Sequence, residues 1–418
     1  MSISTTTIRF EHAATGRTFD GVMLAGPGPA LIAQAATLTG EDGTEVLRGI
    51  VRKLLVRKGV DWTGPILGEY LGLFEDSSGI FVLLWDRRSR QFVSHGAMFQ
   101  SRRFPAAGLV AHIRTEDAFR GLGLGSLVVE QVVRSGFENG AQVIVLATDD
   151  KLLGGVAGPK AANRLYARLG FAVLAEKRLA DTVDWLMIID QAAFEQARKL
   201  REAHGGLLPQ PAPEPLAGIQ QRLIASITSR LASPKAELRA EPATEGDLAA
   251  LFLLTNLCPP QDWRLKLCAW DIDKGPEFER SFVVNVRPAL LDRDRLEDAS
   301  QVLRDPQGFI VAVCAARQEA PFSRRTFRLD VYCLQALFES QPTVVRQLVE
   351  QTIRGIECSD RVMRPCRLSF CGADEAKVAL FQSLGFAPAS NTIPFFTPDF
   401  TPAFEAREYV RTLGGAGS

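Results

Sequence analysis

The run Arg120-Gly121-Leu122-Gly123-Leu124-Gly125 lies between a short apolar stretch, Gly108 to Ile113, and a segment of helical spacing, Ser126 to Arg134, that has no Gly or Pro. That placement predicts a strand, a tight turn and a helix in that order. Glycines let the backbone turn sharply and close on a bound group where a Cβ would stand in the way. The first amides of the helix have no acceptor within it, and the helix dipole adds partial positive charge at the same place. The run therefore reads as an anion site, most often for phosphate. No Lys-Ser or Lys-Thr follows, so it is not a P-loop. The glycines are spaced two apart and no acidic residue ends a second strand at the usual distance, which argues against dinucleotide binding. On the loop alone, a purely structural tight turn is the alternative.

A second motif follows about forty residues on: Asn163-Arg164-Leu165-Tyr166-Ala167-Arg168-Leu169-Gly170-Phe171. It comes after the apolar run Ala141 to Thr148 and reads as a short helix closed by Gly170, with a strand starting at Phe171. The order strand, glycine loop, helix, strand, helix, glycine, strand resembles the GNAT superfamily of acyl-coenzyme A-dependent N-acyltransferases. That family's glycine-loop pattern falls on Arg120, Gly123 and Gly125. Its second motif falls on Asn163, Tyr166, Gly170 and Phe171.

The resemblance implies an α/β (α+β) fold: a mixed, mostly antiparallel sheet flanked by helices. It implies that acetyl-coenzyme A, or another acyl-coenzyme A, is the co-substrate. Its pyrophosphate would lie on the amides of Gly121, Leu122, Gly123, Leu124, Gly125 and Ser126, with Arg120 opening the loop. The pantetheine arm would pair with the strand edge at Ile113, Arg114 and Thr115, as another strand would. Asn163 would bond a pantetheine amide, or else serve the start of its helix. Tyr166 would donate to the leaving thiolate, or else be a packed aromatic. The family often carries a Glu about eleven residues before the loop Arg; here that position is Leu109, which leaves the base open. His112 is one candidate, although strand alternation counted from Leu109 puts it on the other side. Asp149 is another; with Asp150 it is expected to end the next strand, near the amine's entry or as a solvated loop end. Lys151, Lys160 and Arg164 are either near the adenosine 3′-phosphate or ordinary surface charges. The stretch Gly154 to Pro159 reads as a lid or a surface insertion.

The second half of the chain repeats the first. Leu348 to Gly355 echoes Val128 to Ser135, and Leu380 to Ala387 echoes Leu165 to Ala172. The echo fails where chemistry would sit. Ser340 to Val345 replaces the glycine run, Pro342 removes an amide, and Phe381 replaces Tyr166. Two tandem domains are expected. Residues 1–198 would be catalytic, 199–234 a Pro-rich linker and helix, and 235–418 a degenerate copy. Within the first, a strand is expected near residues 6–13, helices within 29–58, and a hairpin of Ile80–Trp85 and Gln91–Met98.

Composition narrows the function classes. Lys plus Arg and Asp plus Glu are 48 each, so formal net charge is zero and neither nucleic acid nor an anionic membrane is favoured. No apolar run approaches the roughly 18 residues that span a bilayer, and Met1 to Thr7 has no signal-like core, so a cytoplasmic location is expected. The seven cysteines all lie in the second half with no Cys-x-x-Cys pair, and no metal is expected. They read as buried, reduced thiols. No cysteine in the first half can carry an acyl group, so attack by a small-molecule or peptide amine would be direct. A longer-chain or carrier-protein-dependent acyltransferase, a thioester decarboxylase and a non-enzymatic acyl-coenzyme A sensor are the alternatives. Oligomeric state is open.

Overall fold

The computed structural model describes residues 4–27, 77–89, 91–101, 104–153, 156–157, 161–178, 182–204, 215–232, 238–243, 250, 300–318, 325–359, 362, 365–372, 375–396 and 402–414. The expected helices within 29–58, and the whole of the proline-rich stretch 205–214, lie outside these residues. The chain divides into two units, Met1–Ile219 and Gln220–Ser418.

In the first unit, a hairpin of β1 (Ser4–His12) and β2 (Arg17–Pro27) leads to β3 (Ser77–Asp86), β4 (Phe92–Ser101) and β5 (Phe104–Thr115). A 3-10 turn, Asp117–Phe119, then leads into helix α1 (Leu124–Glu138). After it come β6 (Val143–Leu153), the short β7 (Val156–Ala157), α2 (Ala161–Leu169), β8 (Ala172–Arg178), β9 (Thr182–Asp190) and α3 (Gln191–Ala203). The sheet order is β1-β2-β3-β4-β5-β6-β9-β8, with β7 paired to β6. All pairs are antiparallel except β5 with β6. The single expected opening strand is thus a hairpin of two.

Helix α1 is rich in valine, a modest helix former, so burial holds it. Leu124, Val128, Val129, Val132, Val133 and Phe137 form one buried stripe against β3, β4, β5 and β6. Two glycines let it come close. A methyl on Gly136 would lie 2.6 Å from Met98 Sδ, and one on Gly96 would lie 2.6 Å from Val128 Cγ1 and overlap Ile113. Helix α3 starts at Asp190, whose Oδ1 accepts from Ala193 N at 2.9 Å.

The turn before α1 is pinned to the first hairpin. Phe119 is buried, with the Arg17 guanidinium 4.4 Å above its ring. Arg17 also donates to Asp86 at 3.2 and 3.4 Å, and Ser89 Oγ donates to the same carboxylate at 2.7 Å. Arg17 first, then Ser89, holds the Asp86 carboxyl at about 2, below its ordinary 3.8. A depressed carboxyl stabilises the fold above its ordinary value, and that stabilisation is lost as pH falls through about 2. Arg17 is partly exposed, so the contribution is about 1–2 kcal/mol. In urea titrations the parent is expected to lose this amount between roughly pH 4 and pH 2. Asp86→Asn should lack it already at pH 7, with a flatter acid profile.

In the second unit, α4 (Pro215–Leu231), which spans the division, precedes β10 (Arg239–Pro242). Then follow β11 (Gln301–Arg304), β12 (Ile310–Gln318), β13 (Thr326–Cys333), α5 (Gln335–Ser340), α6 (Pro342–Cys358) and β14 (Cys366–Gly372). Helix α7 (Glu375–Ser383), β15 (Ala387–Phe396) and β16 (Pro402–Leu413) close it. The sheet order is β10-β11-β12-β13-β14-β16-β15, again with one parallel pair, β13 with β14. This is the order of β2 through β8 in the first sheet, strand for strand. Both units are mixed α/β layers of the expected class. Cys314, Cys333 and Cys366 are buried, whereas Cys358, at the end of α6, is exposed, against expectation. Among the described residues, no helix is long and apolar enough to cross a membrane.

Candidate active site

The parallel pairing of β5 with β6 covers only four positions, Ala107–Val110 against Val143–Leu146. Beyond them β5 stays with β4. Ser94 Oγ donates to Arg114 O at 2.9 Å, and Glu116 N donates to Val93 O at 2.8 Å. Meanwhile β6 stays with β9, pairing Thr148 with Trp185 and Lys151 with Thr182. The sheet therefore forks, and residues 111–115 and 147–151 border the gap.

Helix α1 begins beside this fork. Its N-cap is Gly123, at φ 74°, and Gly121 is at φ 81°. These left-handed angles favour glycine. Leu127 N, bonded to Gly123 O at 3.0 Å, is the first amide turned back into the helix. The amides of Leu124, Gly125 and Ser126 therefore have no acceptor within α1. A methyl on Gly121 or Gly123 would meet no atom within 4 Å, so open space lies over this turn. Gly125 lies within the first helical turn, not in the loop. A methyl there would be 3.2 Å from Thr115 Oγ1 and 3.8 Å from Leu165 Cδ2. One position thus joins the end of β5, the start of α1 and helix α2, bringing the two sequence motifs together. Arg120 is half exposed and pairs with Asp117 at 2.7 Å.

The gap-lining residues Ile113, Arg114 and Thr115 lie on β5 past the parallel pairing. Thr115 Oγ1 and Ser94 Oγ are 2.9 Å apart, on the α1 side. Arg114 is mostly buried, with Glu116 at 3.5 Å. The register also shows a feature invisible in sequence. Arg114 pairs with His95 and Ala111 with Ala97, so His112 and Ile113 both stand opposite Gly96. This bulge interrupts the strand alternation between Ala111 and Arg114. Asp149 and Asp150 do not end β6. They pair with Asp184 and Val183 within it, because β9 extends the strand. The stretch Gly154 to Pro159 is partly a hairpin, with Val156 and Ala157 paired to Leu153 and Leu152. Lys160 lies outside the described residues, and Arg164 is exposed on α2.

Helix α2 is anchored to β6 by Asn163, which is buried and accepts from Thr148 Oγ1 at 2.9 Å. Tyr166 is buried, with its ring edge-on to Phe171 at 5.9 Å. Burial pushes its phenol up to about 12. Gly170 ends the helix at φ 100°.

The second unit forks at the same place, since β13 and β14 pair only through Thr326–Arg328 and Arg367–Ser369. Its fork is filled differently. The first β14 residue past the pairing is Phe370, where β6 has Ala147. Phe370 stacks on Phe381 with ring centroids 3.8 Å apart, and Phe386 stands edge-on to Phe381 at 5.1 Å. At the start of α6, Pro342 takes the first helical position and Gln341 Nε2 donates to Leu231 O, the end of α4, at 2.8 Å.

A search of the curated proteins finds no match. The family model described as FR47-like protein matches residues 94–180, from β4 through β8. Among solved structures, the chain is similar to a GCN5-related N-acetyltransferase from Kribbella flavida, at 18% identity and TM-score 0.30, covering 43% of this chain and all of that one. It is similar to the aminoglycoside 6′-N-acetyltransferase from Enterococcus faecium, at 16% identity and TM-score 0.28, covering 35% of this chain and 91% of that one. A third is a candidate streptothricin acetyltransferase from Bacillus anthracis in complex with acetyl coenzyme A, at 17% identity and TM-score 0.23 over 27% of this chain. The chain spans 62% of that protein's length. These TM-scores lie below 0.5, and nothing further rests on them. The family match covers both sequence motifs, the fork and the start of α1, and over residues 94–180 this chain is similar to the FR47-like family.

Proposed function

We propose that the first unit transfers an acyl group, acetyl in the simplest case, from coenzyme A to a primary amine by direct attack. The observation that carries this reading is the forked sheet whose gap ends beside a helix start built on two left-handed glycines. Open amides and the positive end of the α1 dipole suit a pyrophosphate. The amides of residues 121–126 would hold it, with Arg120 at the rim. The edge of β5 at Ile113, Arg114 and Thr115 offers backbone groups to the two amides of the pantetheine arm. Asn163 would bond an arm amide from the α2 side. The acyl carbonyl then stands in the fork.

Three tasks remain: a neutral amine, a stabilised oxyanion and a protonated thiolate. Tyr166 is assigned to the thiolate. A phenol near 12 keeps its proton at every physiological pH. It also holds that proton more tightly than a thiol of about 8.5 does, so full transfer runs uphill by about three powers of ten. Its role is therefore a hydrogen bond to sulfur as charge develops there, with the proton of the final thiol supplied by the amine or water. Tyr166→Phe is expected to lower kcat by about 10- to 100-fold and to leave the coenzyme A dissociation constant within about twofold. Thiol release and calorimetry on the same preparations measure the two. His112 and Asp149 remain the candidates for accepting the amine proton, directly or through water.

Residues 235–418 are read as a copy that no longer binds the donor. Pro342, Gln341 and the Phe370–Phe381 stack stand where the first unit has its cradle and fork. One coenzyme A per chain follows, and calorimetric stoichiometry tests it.

A further inference from the structure

Helix α1 is reached through Arg120 to Gly123, which lie between two buried side chains, Phe119 and Leu124. Leu124 is fixed by the core under α1. The turn leaves β5 at Glu116, whose amide donates to Val93 O. Past that point the buried side chain that locates it is Phe119, edge-on to Phe19 at 6.2 Å and 4.4 Å below the Arg17 guanidinium. Arg17 is 41% exposed, so burial does not hold it there. Asp86 does. Its carboxylate is 1% exposed and accepts from Ser89 N at 3.0 Å and Ser89 Oγ at 2.7 Å. A chain of contacts thus runs from the β3–β4 turn through Asp86 and Arg17 to the ring just ahead of the glycines. The second unit has the same device without the glycines. Asp305 closes the β11–β12 hairpin, accepting from Gln307 N and Phe309 N at 2.9 Å each. Arg230 donates to it at 2.8 Å and lies 5.3 Å over Phe309. There the phenylalanine belongs to the hairpin itself. In the first unit the arginine reaches instead to the segment that carries the cradle.

That reach matters under the acyltransferase reading, on which this inference rests. Gly121 and Gly123 can take either sign of φ at little cost, so a turn built on them has many alternative shapes. Affinity falls in proportion to the fraction of molecules in the binding-competent shape. We infer that Arg17, locked by Asp86 and seated on Phe119, is a positioning residue for the donor's pyrophosphate. It holds the amides of residues 121–126 in their binding arrangement without touching the ligand.

The test is a double-mutant cycle on the full chain, read by calorimetry with coenzyme A and by hydrogen exchange on the ligand-free protein. Arg17→Met is expected to raise the coenzyme A dissociation constant about tenfold in the parent. In Gly123→Glu, where the cradle is already blocked, the same change should add no more than about twofold. Exchange at the Phe119 and Arg120 amides, bonded to Glu116 O and Asp117 O, should quicken in Arg17→Met before any ligand is added. Gly140→Ala, just past the other end of α1, controls for lost stability and should match the parent in both readouts. Phe119→Leu keeps an apolar side chain but removes the ring face, and should weaken binding about threefold. It carries the test if Arg17→Met does not fold, which near-ultraviolet circular dichroism checks. The inference is wrong if the folded variants bind coenzyme A as the parent does, or if the loss persists in full on Gly123→Glu. It is also wrong if affinity falls while exchange at the turn is unmoved, because Arg17 then contacts the ligand directly. A loss of the same size in Gly140→Ala overturns it as well. In each of these cases the parent still binds coenzyme A and the acyltransferase reading stands. If the parent does not bind coenzyme A, that reading fails and the role of Arg17 falls with it.

Discussion

Gly123→Glu is expected to weaken coenzyme A binding by about 100-fold or more, equivalent to about 2.7 kcal/mol, without unfolding the protein. Gly123 has φ 74° and no atom within 4 Å of an added methyl, so the first carbon of a side chain there clashes with nothing. The fold bears only the left-handed backbone cost of about 1 kcal/mol, partly offset by a carboxylate near the helix start. For a unit of this size that is a shift in Tm of about 2–4 °C. The ligand bears far more, because a carboxylate would occupy the cradle and repel the pyrophosphate. Gly123→Ala is the matched control: the same backbone cost, little lost volume and no charge. It should bind within about tenfold of the parent. Calorimetry with coenzyme A decides the matter, and equal binding by Gly123→Glu and the parent would sink the assignment of this turn.

Gly170→Ala should be the most destabilising of the simple glycine replacements around the site. Gly170 is at φ 100°, and a methyl on it would lie 2.7 Å from Ala193 O, a backbone atom at the start of α3 that cannot swing aside. Gly140, at φ 91° with nothing within 4 Å, has the same backbone problem without the collision. Urea denaturation is expected to give about 1 kcal/mol for Gly140→Ala and about 3 kcal/mol or more for Gly170→Ala. The second variant should also lose activity, since α2 carries Tyr166 four residues before the glycine. Equal losses in the two variants would show that contact with α3 contributes nothing.

What the sequence disclosed was mostly what is local. A glycine run before a helix, and Gly-Phe after one, each state a backbone requirement that few other residues meet. The helix expected within 199–234 stands as α4, Pro215–Leu231. Long-range pairing was not. The strand Arg17–Pro27 carries Gly21 in its middle, which reads as a break. The structure shows why glycine is there: a methyl on Gly21 would lie 2.7 Å from Leu83 O of the neighbouring strand. Asp149 and Asp150 looked like a strand end because acidic residues seldom continue one, yet β9 carries β6 past them. The bulge at His112 and Ile113 depends on which residues of β4 stand opposite, and nothing in β5 itself encodes it.

Building one strand order twice in a single chain has a use beyond this protein's own chemistry. Each unit serves as the other's control. Positions kept in both report what the architecture demands, and positions that differ report what was released. Gly170 and Gly385 share a positive φ, and Phe171 and Phe386 are both buried. By this comparison the helix-ending glycine and the phenylalanine after it belong to the scaffold, even though they sit inside a motif that reads as functional. Tyr166 against Phe381, and Gly123 against Thr343, fall in the other class. The chain thus sorts its own residues into those that both units keep and those that only one of them carries, with no second protein needed for the comparison.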